Sequence, residues 1–254
     1  MEDIRNLLNI KLLNQSFTGV EKIEFCINEG KVIAQMYAKV ENCISVLSDL
    51  KTRRSYVYYG AITDQLGIEQ RDPELNSIWE DNLLSNVNAD DLQKKFRLEL
   101  QFFQLLNSLA PEERSNFEAI TRLRLRGPSG KTIILKHRLI YIASGAEGSI
   151  RLALCLYHRS YDHPDLPIPD ALIINSQTGD VIDFNRERFE NILSVREKDV
   201  LQLMGYGRKS IEIAQKLAIS INTVNRHRQN ILQKLNATNA IEACRIAEAS
   251  GLLR

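Results

Sequence analysis

Residues 193–235 read LSVREKDVLQLMGYGRKSIEIAQKLAISINTVNRHRQNILQKL, and the boundaries of three helices are visible in the letters. Ser194, followed three residues later by Glu197, has the form of a capping box, in which each side chain satisfies a backbone N–H at the start of a helix. Val200, Leu201, Leu203 and Met204 supply the apolar stripe of that helix, and Gly205 to Gly207 stop it. Ser210 is expected to cap a second, short helix carrying Ile211, Ile213, Ala214 and Leu217. Ala214 is small enough to let the next helix approach. Residues 218–220 read as the turn, and Ser220 as the cap of a third helix running to about Leu235.

On that third helix Val224, Ile231 and Leu235 fall on one side, whereas Asn225, Arg226, Gln229 and Gln233 project from the other. The major groove of DNA admits one α-helix, and its base edges present paired donors and acceptors that Arg, Asn and Gln match bidentately. Thr223, Arg228 and Lys234 are placed to hold phosphates and fix the register without reading sequence. His227 lies beside the Val224 and Ile231 stripe, which suits a packed imidazole at least as well as a phosphate contact.

These residues resemble the LuxR/GerE-type helix-turn-helix family. Its pattern is met at Leu193, Ser194, Arg196, Glu197, Val200, Leu201, Leu203 and Gly207. It continues at Ile213, Ala214, Leu217, Ile219, Ser220, Thr223, Val224, His227, Ile231, Lys234 and Leu235. The resemblance covers about a quarter of the chain. It implies a compact four-helix domain whose third helix enters the major groove, with Asn225, Arg226 and Gln229 as the base-reading positions. It also implies a fourth helix, Asn239 to Ala249, that commonly pairs two such domains on double-stranded DNA. The family often has lysine where Asn225 and Gln229 stand, and fewer cations imply a shallower salt dependence.

Outward from this module the chain changes character. Residues 1–50 read as mostly helical, with Val32, Met36, Val40, Val46 and Leu50 at roughly helical spacing and a turn suggested near Asn28 and Gly30. Ser55 to Ile68 favours a strand entering a short helix, and a helix capped at Asn88 or Asp90 runs toward Leu109. Phe117 to Arg126, Thr132 to Ala143 and Ser149 to Ser160 read as an antiparallel meander with Gly-rich turns. Within it Leu123 and Leu125 alternate with Arg122, Arg124 and Arg126, the pattern of a half-buried sheet with a solvated basic side. The stretch YDHPDLPIPD at 161–170 reads as a stiff linker, and Leu172 to Phe184 as a hairpin.

The order strand, short helices, longer helix, meander is similar to a PAS domain, whose sheet and helices enclose a ligand pocket. YVYYGAITDQLGI at 56–68 and VNADDL at 87–92 carry the local resemblance, and the long helix from Leu92 to Leu109 departs from it. The expected fold is thus α+β: a PAS-like antiparallel sheet with helices, followed by an all-α four-helix helix-turn-helix domain. The divisions are a mostly helical segment at 1–50, a PAS-like sensor domain at 51–162, a linker with a hairpin at 163–192 and the DNA-binding domain at 193–254.

Composition narrows the function further. The 254 residues are 44% hydrophobic and 26% charged, with a net charge of +1. That figure conceals +5 on residues 193–254 and −4 on the first 192. A basic module on a mildly acidic body suits a nucleic-acid reader that does not bind polyanions over its whole surface. The start, MEDIRNLLNIKLLNQ, lacks a signal-peptide pattern and no long apolar run spans a membrane, so a cytoplasmic protein is expected.

Cys26, Cys43, Cys155 and Cys244 are far apart with no metal-ligand spacing, and read as free thiols. His137 and His158 fall on predicted strands rather than on a haem-bearing helix, and no cysteine sits in a flavin motif, so no cofactor or metal is expected. No nucleophile–base pair or phosphate loop suggests an enzyme. The expected protein is a homodimeric transcriptional regulator whose PAS-like domain senses a small molecule or partner protein. The alternative is that the N-terminal half serves only for dimerisation and interaction.

Overall fold

The computed structural model describes residues 2–17, 23–68, 73–145, 148–160, 170–182, 193–235, 237–249 and 253, which fall into two compact units, Met1–Ile182 and Asp183–Arg254. The first is built on an eight-stranded antiparallel sheet. Its elements in order are α1 (Glu2–Leu13), α2 (Ile23–Val40), β1 (Ile44–Asp49), β2 (Arg54–Tyr59), α3 (Ile62–Leu66), β3 (Glu74–Leu75), α4 (Asp81–Leu84) and α5 (Ala89–Asn107). A 3₁₀ turn at Pro111–Asn116 leads to β4 (Phe117–Arg126), β5 (Thr132–Ser144), β6 (Ile150–Arg159), β7 (Ala171–Asn175) and β8 (Val181–Ile182).

The strand order is β3-β2-β1-β6-β5-β4-β7-β8, so the last strand of the meander returns to pair with the first strand of the chain. Val46 sits opposite Val57 on one side and Cys155 on the other. The expected hairpin is present as β7 and β8, joined through Asn175 and Asp180, and β7 extends the sheet alongside β4. The proline-rich stretch at 161–169 and residues 183–192 lie outside the described residues.

The reading of residues 1–50 as mostly helical needs correction at its end, because Ile44–Asp49 is an inner strand of this sheet. All six of its residues are buried. A strand covered on both faces loses the polar–apolar alternation that marks a half-exposed one, and its apolar spacing then passes for helical. The expected turn near Gly30 is likewise absent, since Gly30 lies inside α2 and is buried against the sheet. A Cβ there would come within 3.1 Å of Leu47 Cδ2. The glycine serves close helix–sheet approach rather than a turn.

Beneath α2, Ala34, Cys43, Leu47, Leu152, Leu154 and Leu156 form a continuous apolar cluster. Each fully buried leucine there contributes on the order of 1.5–3 kcal/mol. Helix α5 is capped by Asn88, whose side chain accepts from the N–H groups of Asp90 and Asp91. The alternation of β4 is also as read: Leu123 and Leu125 are buried, while Arg124 turns outward and forks onto the Asp91 carboxylate at 2.8 Å. The basic side of the meander is therefore partly neutralised by its own helix.

Candidate nucleic-acid interface

The second unit contains α6 (Val195–Gly205), α7 (Ser210–Leu217), α8 (Ile221–Lys234) and α9 (Ala240–Ala249). The capping box at the head of α6 is formed: Glu197 N–H donates to Ser194 Oγ at 3.3 Å, and Ser194 N–H donates to Glu197 Oε2 at 2.7 Å. Val200 and Leu201 are fully buried behind it, and Gly207 leaves the helix with φ +72°. At α7 the expected cap shifts by one residue. Lys209 is the N-cap and Ser210 the first helical residue, because Glu212 reaches back to accept the Lys209 N–H at 2.7 Å.

The turn into α8 is tight. Ala218 adopts φ +53°, and Ile219 N–H donates to Ala214 O at 3.1 Å. Ser220 Oγ then accepts the Thr223 N–H at 3.0 Å, which caps α8 and fixes its first turn. Val224, Ile231 and Leu235 are buried in a single stripe that docks the helix on the rest of the unit. The stripe decides which side chains remain outside.

Asn225, Arg226 and Gln229 are all exposed on the opposite side. Among the described residues none of the three has a hydrogen-bond or ion-pair partner, so their donors and acceptors face solvent ready for a ligand. Three such side chains at i, i+1 and i+4 span one helical turn, about the rise of a base-pair step or two in the major groove. Thr223 is exposed beside the capped N-terminus and Arg228 is half-buried at the edge of the same face.

Lys234 differs from the other expected phosphate contacts. Its Nζ lies 2.7 Å from Glu197 Oε2, a carboxylate that is almost wholly buried. Burial alone raises the Glu197 pKa, but Lys234 and the Ser194 N–H outweigh it and hold the group below its ordinary value. The sequence shows Glu197 as a capping residue and gives no hint of this second partner. His227 is half-buried and its Nδ1 has no hydrogen-bond partner among the described residues.

The first unit holds a second concentration of polar groups that the sequence did not single out. Lys95 on α5 is buried with Glu99 at 2.7 Å and Glu80 at 3.9 Å, and the Tyr157 hydroxyl donates to Glu80. Desolvation disfavours the Lys95 ammonium, yet the Glu99 and Glu80 carboxylates hold its pKa above the ordinary value. His137 is fully buried 3.9 Å from Glu99, and burial, with the Lys95 charge, pushes its pKa well below the usual imidazole range. Glu80 also borders a cavity of about 350 Å³ walled by Ile44, Val46, Val57 and Leu83. Among the described residues no group of three or more His, Cys, Asp and Glu is arranged to hold a metal ion. No helix among them is long and apolar enough to cross a membrane.

Residues 191–247 match the luxR family of bacterial regulatory proteins. The chain is 43% identical over 70 residues to the uncharacterized transcriptional regulatory protein YvfU of Bacillus subtilis, a match covering 28% of this chain and 35% of that one. It is 45% identical over 60 residues to the regulatory protein SdiA of Escherichia coli, covering 24% and 25% respectively. The chain thus spans about a third or less of the length of these relatives. Among solved structures, the VqmA dimer of Vibrio cholerae aligns over 89% of this chain and 88% of that one, with 16% identity and a TM-score of 0.30. A likeness that slight does not bear on the arrangement of the first unit.

Proposed function

We propose, from a C-terminal module that belongs to the luxR family of bacterial regulatory proteins, that this protein is a sequence-specific, non-catalytic regulator of transcription that binds double-stranded DNA through α8. The observation that carries the reading is the set Asn225, Arg226 and Gln229, exposed and without partners among the described residues, on a helix whose opposite stripe is locked in the core. Base reading falls to those three, with Thr223 and Arg228 on phosphates. Titration of the full chain against labelled genomic DNA fragments tests it. A fragment bound at least ~10³-fold tighter than bulk DNA is expected for a specific reader, and uniform affinity contradicts it.

The first unit, with its PAS-like order of elements, is proposed as the sensor that controls how two DNA-binding modules are presented. The cavity beside Glu80 supports a small-molecule signal, since apolar side chains (Ile44, Val46, Val57, Leu83) and polar ones (Glu80, Asn82, Ser85, Asn86) both line it and its volume is at the small end of the usual size for such sites. A ligand acts only through unequal affinity for two states of the protein. The expected signature is a compound that shifts both the melting temperature of the full chain and its affinity for the specific fragment. A full chain that is a tight dimer and for which no compound shifts either quantity supports the other reading, in which the first unit only joins subunits and takes no ligand.

A further inference from the structure

The outer side of α2 carries apolar side chains that a helix packed on a sheet does not ordinarily show to water. Val32, Met36 and Val40 are 60%, 54% and 75% exposed, and Ile33 beside them is 41% exposed. Spacing by fours aligns the first three along one stripe. The inner stripe, Gly30, Ala34 and Ala38, is buried and lies too close to the sheet for the helix to roll and hide the outer one. The other large apolar side chains exposed among the described residues of this unit, Ile10 and Val181, lie on separate elements. A contiguous row is the kind of patch that marks an interaction surface, whereas single exposed residues are ordinary.

We infer that this row pairs with itself: α2 of one copy packs antiparallel on α2 of a second copy, about a two-fold axis level with Ala34. A two-fold contact requires one patch to complement itself. In this register Val32 faces Met36 of the second copy and Glu29 faces Lys39. Glu29 and Lys39 are both exposed, and each stands five residues, about 7.5 Å, from the axis. Two opposite-charge pairs therefore close the two ends of the apolar row. A parallel pairing sets Glu29 against Glu29 and Lys39 against Lys39, so the charges select the antiparallel one. A membrane surface is a poorer occupant, because the row is flanked by an acid as well as a base.

This surface deepens the proposed pairing of DNA-binding modules, while DNA contact through Arg226 stands or falls by its own test. The experiment is sedimentation of the full chain without DNA over a concentration series, with circular dichroism confirming that each variant is folded. The parent is expected to be a dimer. Glu29→Lys and Lys39→Glu should each raise the dimer dissociation constant about 5- to 30-fold, since two pairs become repulsive, and the double exchange should return it to within about 3-fold of the parent. A second variant, Val32→Cys with Met36→Cys, should form an intermolecular disulfide on mild oxidation under conditions that leave the parent uncrosslinked. A monomeric parent, charge variants that keep the parent constant, a double exchange that fails to restore it, or absence of the crosslink overturns the inference.

Discussion

Lys234 Nζ bonds to Glu197 Oε2 at 2.7 Å, tying the last turn of the exposed helix α8 to the first turn of α6 across 37 positions of sequence. Glu197 meanwhile closes the capping box with Ser194. One buried carboxylate thus serves the start of α6 and the anchoring of the end of α8. The pair is half open to water on the lysine side, which moderates its strength.

Lys234→Ala is accordingly expected to lower the stability of the second unit by about 1 kcal/mol, since Glu197 loses one of its partners while Lys234 is substantially solvated. The slope of log affinity against log salt should stay as in the parent, measured by fluorescence anisotropy on one DNA fragment. A fall of about one in that slope, with the denaturation midpoint unchanged, assigns Lys234 to a phosphate instead.

Ser194→Ala removes the oxygen that accepts the Glu197 N–H. A loss of about 1 kcal/mol is expected in urea denaturation of the full chain followed by a probe in the second unit. Ser210→Ala, by contrast, should change little, because the structure puts Lys209 rather than Ser210 at the cap of α7. Equal losses from the two serines contradict this assignment.

His137 gives the first unit a dependence on pH. Its folded-state pKa is depressed by burial and by Lys95, so the unfolded chain takes up a proton that the folded one refuses. The stability it contributes is complete above the unfolded value near 6.5 and is lost as pH falls below it, at up to about 1.4 kcal/mol per pH unit. His158 is depressed as well, chiefly by burial, and adds in the same direction. Denaturation midpoints between pH 7.5 and 5.5 should show the decline, and His137→Phe should reduce its slope. A variant with the parent's slope assigns the dependence to other groups.

Gly60 is hemmed in by backbone, with an added Cβ lying 2.6 Å from Ala38 O and 2.7 Å from Cys43 O. Neither oxygen can swing aside as a side chain would. Gly60→Ala should therefore destabilise the first unit by about 1–3 kcal/mol in chemical denaturation, while leaving the second unit's transition in place. An unchanged midpoint contradicts the close packing of α2 on the β2–α3 turn.

The second unit was legible because its determinants are local. Ser194, Glu197 and Ser220 mark helix starts within four residues of the groups they satisfy, and Val224, Ile231 and Leu235 declare the inner side of α8. The first unit depends on partners far apart in sequence. β1 looked helical because both of its faces are covered, and Gly30 looked like a turn because its reason, the nearness of Leu47, lies seventeen positions away. The charged cluster left one trace: Lys95 and Glu99 share a stripe of α5 with Phe102 and Leu106, all buried. Charges in register with an apolar stripe signal buried pairing, but their partners Glu80 and His137 come from elements that only folding brings near.

The central claim, that α8 reads base sequence, is tested most directly by selecting binding sites from random duplex DNA with the parent and with Arg226→Ala. The parent should enrich a defined motif, and the variant should bind that motif with about 1–3 kcal/mol less affinity and lose its preference at one base pair of each half-site. Failure of the parent to enrich any sequence, or an Arg226→Ala protein with the same motif and affinity, contradicts the account.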